Sequence, residues 1–238
     1  NFAGGNNKVM KDISLIAFDA DDTLWECQTY FEAVEKEYCG LLKSYASADE
    51  ISKALFAVES ANMPLLGYGS KAFLLSLLEN AIEVSGGRLK ADEVEKIIKL
   101  GKELLQLPGK PIDGVEETLK VLRETGEYHL VVFTKGELLD QENKFHRSGL
   151  KPYFDDIIVV SDKTEASYYQ LCERFSINVE QLLMVGNSFR SDIEPVLKLG
   201  GWAAHIPFHT TWQHEVVEEY EHPHLLKLEY FTQLKQVL

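Results

Sequence analysis

Three acidic residues crowd the end of a short apolar run near the start of the chain. In the stretch "LIAFDADDTLWE", the carboxylates Asp19, Asp21 and Asp22 fall within four positions. Carboxylates this close together at the mouth of a buried strand repel one another and lose hydration. A bound cation would offset that cost, and hard oxygen ligands of this kind suit Mg²⁺. The stretch therefore predicts a metal site more strongly than a solvated acidic turn, because the "TLW" that follows is unlike a polar loop.

The run before these carboxylates has the composition of a strand that is covered on both faces. Residues 13 to 18 are rich in β-branched and aromatic side chains, which is typical of buried strands in parallel sheets. Hydrophobic residues then recur with a helical period for roughly eighty residues. Four helices are predicted here, with a loop at "ANMPLLGYG" and a capping box of Ser47 and Glu50 opening the second; they span 29–45, 47–60, 70–84 and 91–106.

After "LPGKPIDG", a stretch rich in proline and glycine, predicted helices and strands alternate. Helices at 114–125, 137–148, 165–175 and 191–199 precede the strands "YHLVVFT", "DDIIVVS", "LLMVG" and "WAAHIPF". This alternation predicts an α/β fold, a parallel sheet with helices on both faces, which the first strand must join. We expect a Rossmann-like core at 1–26 and 108–238 and an inserted all-helical cap at 27–107. Because such sheets bind ligands at the carboxyl ends of their strands, the cap can act as a lid there.

Chemically active residue types follow the ends of the predicted strands. The fold would bring them together although they lie far apart in sequence. They supply a nucleophile, positive charge and hydrogen-bond donors, which are the groups that metal-assisted phosphoryl transfer requires. In strand order they are Asp19 and Asp21, then Thr134, Lys135 and Gly136, then Lys163, and finally Asn187, Ser188 and Asp192.

The motifs "DADDT", "TKG", the lysine of "SDKT" and "GNSFRSD" resemble, in this order and spacing, the four motifs of the haloacid dehalogenase superfamily. The resemblance extends from Ile13 to about Phe208 and includes the helical cap between the first and second motifs. Members that lack the second aspartate perform dehalogenation without metal. Asp21 therefore favours the phosphatase branch of the superfamily, whose members hydrolyse phosphate esters.

The resemblance implies a role for each motif residue. Asp19 would attack phosphorus to give an aspartyl phosphate, and Asp21 would protonate the leaving oxygen and then activate water. Thr134 and the amides after it would hold the phosphoryl group, and Lys163 would neutralise it. The residues implied as Mg²⁺ ligands are Asp19, Asp21, Asn187 and Asp192, and those implied as phosphoryl contacts are Thr134, Lys135, Gly136 and Lys163.

One position departs from the family pattern. The family's fourth motif commonly begins with an aspartate where this chain has Asn187, so that only Asp192 is charged. An amide oxygen can still ligate Mg²⁺, but we expect weaker metal binding or a shift of ligation to Asp192. Two alternatives stay open, since Asn187 could serve only as a turn former and Lys135 could take the role of Lys163.

A loop in the predicted cap, "NMPLLGYGSKAF", is a candidate for substrate recognition. Gly67 and Gly69 flank Tyr68, so the backbone can turn sharply and approach a ligand, while Ser70 can cap the next helix. Lys71 then lies in the first helical turn, where a cation opposes the helix dipole. In the family, the loop between the second and third cap helices reaches the active site. We predict that Tyr68 and Lys71 contact the leaving group, and the alternative is a solvent-facing lysine beside a flexible turn.

Composition limits the classes of partner. The formal net charge of −14 over 238 residues argues against a nucleic-acid or anionic-membrane partner, because both require a basic face. The acidic stretch "EVVEEYEH" is expected to be a solvated face. An odd number of widely spaced cysteines, Cys27, Cys39 and Cys172, fits reduced thiols. Residues 1–9 are expected to be a leader before a natural start at Met10.

The sequence thus predicts a cytoplasmic, Mg²⁺-dependent phosphatase that acts on small phosphorylated metabolites. Two alternatives remain. A phosphomutase-like enzyme would transfer the phosphoryl group between two positions of a sugar, and a regulatory or binding protein of the same fold would be catalytically weak. The natural substrate and the oligomeric state do not follow from the sequence, because the cap sets specificity.

Overall fold

A parallel sheet forms the centre of the protein. The computed structural model describes residues 12–238, so the predicted leader at 1–9 and start at Met10 lie outside the described residues. Six strands occur within this range: β1 (Leu15–Phe18), β2 (His129–Lys135), β3 (Asp156–Val160), β4 (Leu182–Gly186), β5 (Trp202–His205) and β6 (Leu225–Lys227). Their order across the sheet is β3-β2-β1-β4-β5-β6, and every neighbouring pair is parallel. The predicted α/β class is confirmed.

Two hydrophobic layers cover the faces of this sheet. Leu15 and Ala17 of β1 pack into the layer on one face, while Ile16 and Phe18 pack into the layer on the other. All four side chains are fully buried. The successive residues of a strand point to opposite faces, so a strand that is apolar at every position requires a cover on both sides.

Four of the five helices between β1 and β2 share a hydrophobic core of their own. They are α1 (Gln28–Leu41), α2 (Ala48–Leu66), α3 (Ser70–Val84) and α4 (Ala91–Leu104). The buried ring of Tyr38 belongs to this core, and its hydroxyl donates 2.9 Å and 2.6 Å hydrogen bonds to Leu77 O and Asn80 Oδ1. The inserted helical cap that the sequence predicted is therefore present.

In the cap, α1 ends at Leu41 rather than at residue 45, and two further differences concern the segment between α2 and α3. Helix α2 continues to Leu66, through part of the predicted loop, although Pro64 lies inside it. Proline removes only one helical hydrogen bond this close to the end, and Gly67, at φ 70°, ends the helix by donating to Met63 O at 3.0 Å. Ser70 does not cap α3, because its hydroxyl donates to Asp140 Oδ2 of the core at 3.0 Å.

The core helices flank the sheet, and its last strand, β6, was not predicted by the sequence patterns. The helices are α5 (Val115–Thr125), α6 (Leu138–Ser148), α7 (Glu165–Phe175), α8 (Glu194–Lys198) and α9 (Leu234–Val237). Strand β6 has three residues, too few to show a periodicity, and pairs with β5 at Ala203 and Leu225. No helix within residues 12–238 combines the length and apolar character that crossing a membrane requires.

Candidate active site

The carboxyl ends of four neighbouring strands form one edge of the site. Because β1 lies between β2 and β4, Asp19 sits between Thr134, at the end of β2, and Asn187, just after β4. The amide of Asp19 donates a 2.8 Å hydrogen bond to Val185 O, which holds the end of β1 against β4. Lys163 reaches the same place from the segment after β3. All four of these predicted site residues line a single cavity that opens toward the cap.

A buried lysine links two carboxylates at the base of this cavity. Lys163 Nζ donates to Asp19 Oδ1 and lies 2.7 Å from Asp192 Oδ1. Burial and the nearby carboxylate of Asp192 raise the pKa of Asp19 to about 7, although Lys163 acts in the opposite direction. One ammonium therefore serves two carboxylates, and the cluster has an excess of negative charge when both are ionised.

The second carboxylate oxygen of Asp19, Oδ2, faces a group of other oxygen atoms. The outer amide atom of Asn187 lies 3.0 Å from Thr23 Oγ1 and 3.2 Å from both Asp19 Oδ2 and the main-chain oxygen of Asp21. An amide nitrogen at that position would donate to these oxygens, whereas an amide oxygen would need a cation to hold the group together. Neighbouring ligands of an octahedral Mg²⁺ at ~2.1 Å lie ~3.0 Å apart. The residues present therefore fit a magnesium ion.

The predicted metal residues do not all present their carboxylates to this group of atoms. Asp21 offers its main-chain oxygen to this group of atoms, not its carboxylate. Asp192 uses Oδ1 on Lys163 and accepts a 2.9 Å hydrogen bond at Oδ2 from Ser188 N. Within residues 12–238, no three histidine, cysteine, aspartate or glutamate side chains form a metal-binding cluster.

The carboxylate of Asp21 is held by residues of α6. Lys144 Nζ lies 2.7 Å from Oδ1 and 2.8 Å from Oδ2, and Gln141 Nε2 donates to Oδ2 at 2.9 Å. Trp25 Nε1 adds a 2.8 Å hydrogen bond to Oδ1. Burial alone would raise the pKa of Asp21, but Lys144 and these hydrogen bonds hold it below its usual value. Sequence patterns did not identify Gln141 and Lys144, whose only signal is their spacing of three residues on the helix that follows the second motif.

Asp22 has a structural role. Its backbone adopts a left-handed conformation, with φ 62°, and its carboxylate accepts hydrogen bonds from Cys27 N at 2.7 Å and Gln28 N at 3.1 Å. These are free amides at the first turn of α1, which otherwise has no side-chain cap. The three crowded carboxylates of the opening stretch are thus separated, with Asp19 on Lys163, Asp21 on Lys144 and Asp22 on a helix terminus.

The second motif supplies a small turn and a lysine. Gly136 has φ 140°, and a β-carbon there would lie 3.0 Å from Gln141 Nε2, so glycine is required beside Thr134. Lys135 Nζ donates to Glu215 and, at 2.9 Å, to Ser191 Oγ. Although burial opposes it, Lys135 holds the pKa of Glu215 below its usual value. The amine of Lys135 is therefore already neutralised within the cavity wall.

Glu215 corrects an expectation from the sequence. It begins the stretch "EVVEEYEH", which was predicted to be a solvated face, yet it is only 8% exposed and lines the cavity. It accepts hydrogen bonds from the hydroxyls of Ser188 and Ser191, the latter at 2.7 Å. No pattern of hydrophobicity marks this residue, since the segment between β5 and β6 lacks a helix or strand period.

The two residues predicted in the cap loop behave differently. Tyr68 lines the cavity, and its ring centroid lies 4.2 Å from Lys135 Nζ and 5.9 Å from the Trp212 ring. Lys71 does not line the cavity, and its exposed amine pairs with Glu137. The solvent-facing alternative therefore describes Lys71 better, because Glu137 neutralises the charge that was expected to meet the substrate.

The segment between β5 and β6 forms a second wall opposite the cap loop. His214 stacks on Phe56 of α2, with ring centroids 4.1 Å apart, and Thr210 donates a hydrogen bond to Glu32 of α1. Thr211 and Trp212 line the cavity beside them. Core and cap therefore meet around the cavity.

Comparisons with known proteins agree with this fold. The family model described as haloacid dehalogenase-like hydrolase matches residues 13–200. Among curated proteins, haloacetate dehalogenase H-2 of Moraxella sp. (strain B) is 28% identical over 185 residues, which cover 75% of this chain and 79% of the relative. The glyceraldehyde 3-phosphate phosphatase of Methanocaldococcus jannaschii is 24% identical over 196 residues, covering 78% and 81%.

A solved structure resembles nearly the whole chain. It is the crystal structure of a haloacid dehalogenase-like family hydrolase from Xanthomonas campestris, with a TM-score of 0.85 and 33% identity over 95% of this chain and 92% of the other. The family model also spans most of the chain. The resemblance predicted from the four motifs is confirmed, and the chain belongs to the haloacid dehalogenase-like hydrolase family.

Proposed function

We propose that this hydrolase is a Mg²⁺-dependent phosphatase that acts on small phosphorylated metabolites through an aspartyl phosphate on Asp19. The placement of Asp19 carries the proposal. Oδ1 accepts a hydrogen bond from Lys163, and Oδ2 lies 3.2 Å from the outer amide atom of Asn187. A carboxylate fixed at both oxygens, at the base of a cavity, is oriented for attack on a phosphoryl group held above it.

In the first step, an oxygen of Asp19 forms a bond to phosphorus while the bond from phosphorus to the ester oxygen breaks. Lys163 and the amides after Thr134 neutralise charge on the phosphoryl oxygens. Mg²⁺, held by Asp19, Asn187 and the main-chain oxygen of Asp21, would supply further neutralisation of that charge. In the second step, water attacks phosphorus and Asp19 is released.

Asp21 is suited to the second step as it stands. Held by Lys144, it is a carboxylate, which is the form that accepts a proton from the attacking water. In the first step, Asp21 would have to be protonated in order to donate a proton to the leaving oxygen. The ion pair disfavours that form, so leaving groups that depart with little protonation suit this site best.

The same ion pair favours a second candidate function, dehalogenation. A halide departs without a proton, so a site in which Asp21 is engaged by Lys144 could displace halide from a haloacid with Asp19 as nucleophile. The similarity to a haloacetate dehalogenase is consistent with this candidate. We favour the phosphatase because the dehalogenase branch lacks a second aspartate and works without metal, whereas this chain has Asp21 and oxygen donors that fit Mg²⁺.

A comparison of two reactions tests the proposal. Wild-type protein with Mg²⁺ is assayed for phosphate release from a panel of phosphorylated metabolites and an aryl phosphate, and for halide release from haloacetate. We expect phosphate release, no halide release, and a loss of at least ~10³-fold in Asp19→Asn, because covalent catalysis is abolished. Asp113→Asn makes the same change at an exposed residue in the turn before α5, and it should leave turnover unchanged. Halide release alone would establish the second candidate, and transfer without phosphate release would indicate a mutase.

A further inference from the structure

Lysines are confined to one end of the cavity. The lysines that line it, Lys135, Lys144 and Lys163, all belong to the core, and each is paired with a carboxylate. The cap side contributes two carboxylates, Glu35 of α1 and Glu59 of α2. None of the cap residues that line the cavity is cationic. A molecule that spans this cavity therefore meets paired lysines at its base and, at the cap, two carboxylates without any lysine or arginine beside them.

Glu59 is a partly buried carboxylate without a cationic partner. Among residues 12–238, none forms an ion pair with it or donates a side-chain hydrogen bond to it, whereas Glu35 accepts one from Ser52. Burial, and then the like charge of Glu35, raises the pKa of Glu59 to about 7. Two acidic side chains close enough to interact, and facing an open cavity, are costly for the folded protein unless a bound group compensates them.

Two buried oxygens on the core side of the cavity also lack a hydrogen-bond donor. Asp140 and Gln141 line the same cavity and are 5% and 3% exposed. Asp140 Oδ1 and Gln141 Oε1 receive no hydrogen bond from the described residues. Buried oxygens of this kind nearly always have a partner. These oxygens belong to a different element, α6, and are independent of the two cap glutamates.

The other cap residues that line the cavity disfavour a leaving group with a negative charge. Phe31, Met63 and Phe73 give apolar surface, and the cap supplies no arginine or lysine to the cavity. A leaving group that carried a carboxylate would therefore lie beside Glu35 and Glu59 without a counterion. Such a contact between like charges is unfavourable at low dielectric.

We propose that the leaving group of the substrate carries an ammonium group, which binds at Glu35 and Glu59 while the phosphoryl group lies at Asp19. The substrate class is a small phosphorylated amine, such as an amino alcohol phosphate or an amino sugar phosphate. This inference rests on the proposed phosphatase function, because it places the phosphoryl group at Asp19. The ammonium would then meet the cap carboxylates, while the phosphoryl group would meet Lys163 and the amides after Thr134.

Matched substrate pairs test the inference. Glucosamine 6-phosphate and glucose 6-phosphate differ at one amine, as do 2-aminoethyl phosphate and 2-hydroxyethyl phosphate. We expect kcat/KM to be at least ~10-fold higher for the amine in at least one pair, the scale of a charge-assisted hydrogen bond. Glu59→Gln and Glu35→Gln should each remove most of that preference and leave aryl phosphate hydrolysis within ~3-fold of wild type. Glu37→Gln, an exposed change on the same helix as Glu35, should preserve the preference.

Equal kcat/KM values within both pairs would overturn the inference, as would equal losses for amine and hydroxyl substrates in the two glutamine variants. Aryl phosphate hydrolysis that depends on Asp19 would show that the phosphatase function survives such a result. Calorimetric binding of the same pairs to Asp19→Asn protein separates the two claims when turnover is absent. Binding at least ~10-fold tighter for the amine supports the inference, and equal binding contradicts it.

Discussion

Lys144 Nζ lies within 2.8 Å of both carboxylate oxygens of Asp21, which joins the second aspartate of the first motif to a buried lysine of α6. Lys144 is 3% exposed, so the ion pair is shielded from water on one side. The pair fixes both the orientation and the protonation state of Asp21.

Lys144→Met tests the consequence of this pairing for stability. Removing one partner leaves Asp21 buried without a counterion, at a cost of ~2–3 kcal/mol, below the ~3–5 kcal/mol of fully enclosed pairs because Asp21 is partly exposed. In the wild type the pKa of Asp21 is depressed, so the pair stabilises the protein above the unfolded pKa. We expect the loss of stability, measured by urea unfolding, to be largest at pH 8 and to disappear only as the pH falls through the lowered folded pKa of Asp21. A loss that does not vary with pH would show that the pair contributes no charge interaction.

Metal dependence tests the assignment of the oxygen group around Asn187. Activity should disappear with EDTA and return with Mg²⁺, while Ca²⁺ should fail because its looser coordination spoils in-line geometry. Asn187→Asp should lower the Mg²⁺ concentration for half activity by ~3-fold or more, because a charged oxygen replaces an amide. Titration of activity with Mg²⁺ measures this change. An unchanged requirement in the variant would place Asn187 outside the metal site.

Glu59→Gln tests whether the cap carboxylate is costly in the free protein. The folded pKa of Glu59 is raised to about 7, so ionisation destabilises the fold as pH rises from the unfolded value toward and above 7. The variant should gain up to ~1–3 kcal/mol in unfolding free energy at pH 8 and almost nothing at pH 4. Denaturant unfolding at the two pH values measures the difference. An equal or negative change at pH 8 would mean that Glu59 is well solvated or paired.

Tyr68 and Lys71 provide a matched pair of variants in one loop. Tyr68 lines the cavity, whereas Lys71 is exposed and paired with Glu137. Tyr68→Ala should raise KM for the natural substrate by ~10-fold, the scale of one lost polar or packing contact, and barely change hydrolysis of a small aryl phosphate. Lys71→Ala should leave both unchanged. Equal effects of the two variants would contradict the structural distinction between them.

The site residues at the strand ends could be predicted, because the sheet topology determines which strand ends are neighbours. Asp19, Thr134 and Asn187 follow apolar runs, and the alternation of helices and strands requires those runs to lie side by side. The neighbours of these residues could not be predicted in the same way. Lys144 reaches Asp21 from one face of α6, and a sequence shows that a lysine is present but not which carboxylate neutralises it.

Glu215 and the bounds of α2 show two other limits. Glu215 lies in a segment without periodic hydrophobicity, so only the folded chain shows that it is buried beside Lys135. Helix α2 passes Pro64 because packing and a final turn closed by Gly67 outweigh the single hydrogen bond that proline removes. Local propensity predicted that the helix would end before Pro64, but packing in the folded protein extends it to Leu66.

The proposed mechanism requires a covalent phosphoryl group on Asp19, and detecting that group tests the mechanism most directly. Wild-type protein is mixed with Mg²⁺ and a rapidly hydrolysed phosphate ester, quenched in acid within the first turnover, digested and analysed by mass spectrometry. We predict that the peptide containing Asp19 gains the mass of one phosphoryl group, and that hydroxylamine removes it, since an acyl phosphate is a reactive mixed anhydride. A protein that releases phosphate at the same rate but shows no phosphorylated Asp19 peptide would contradict the account.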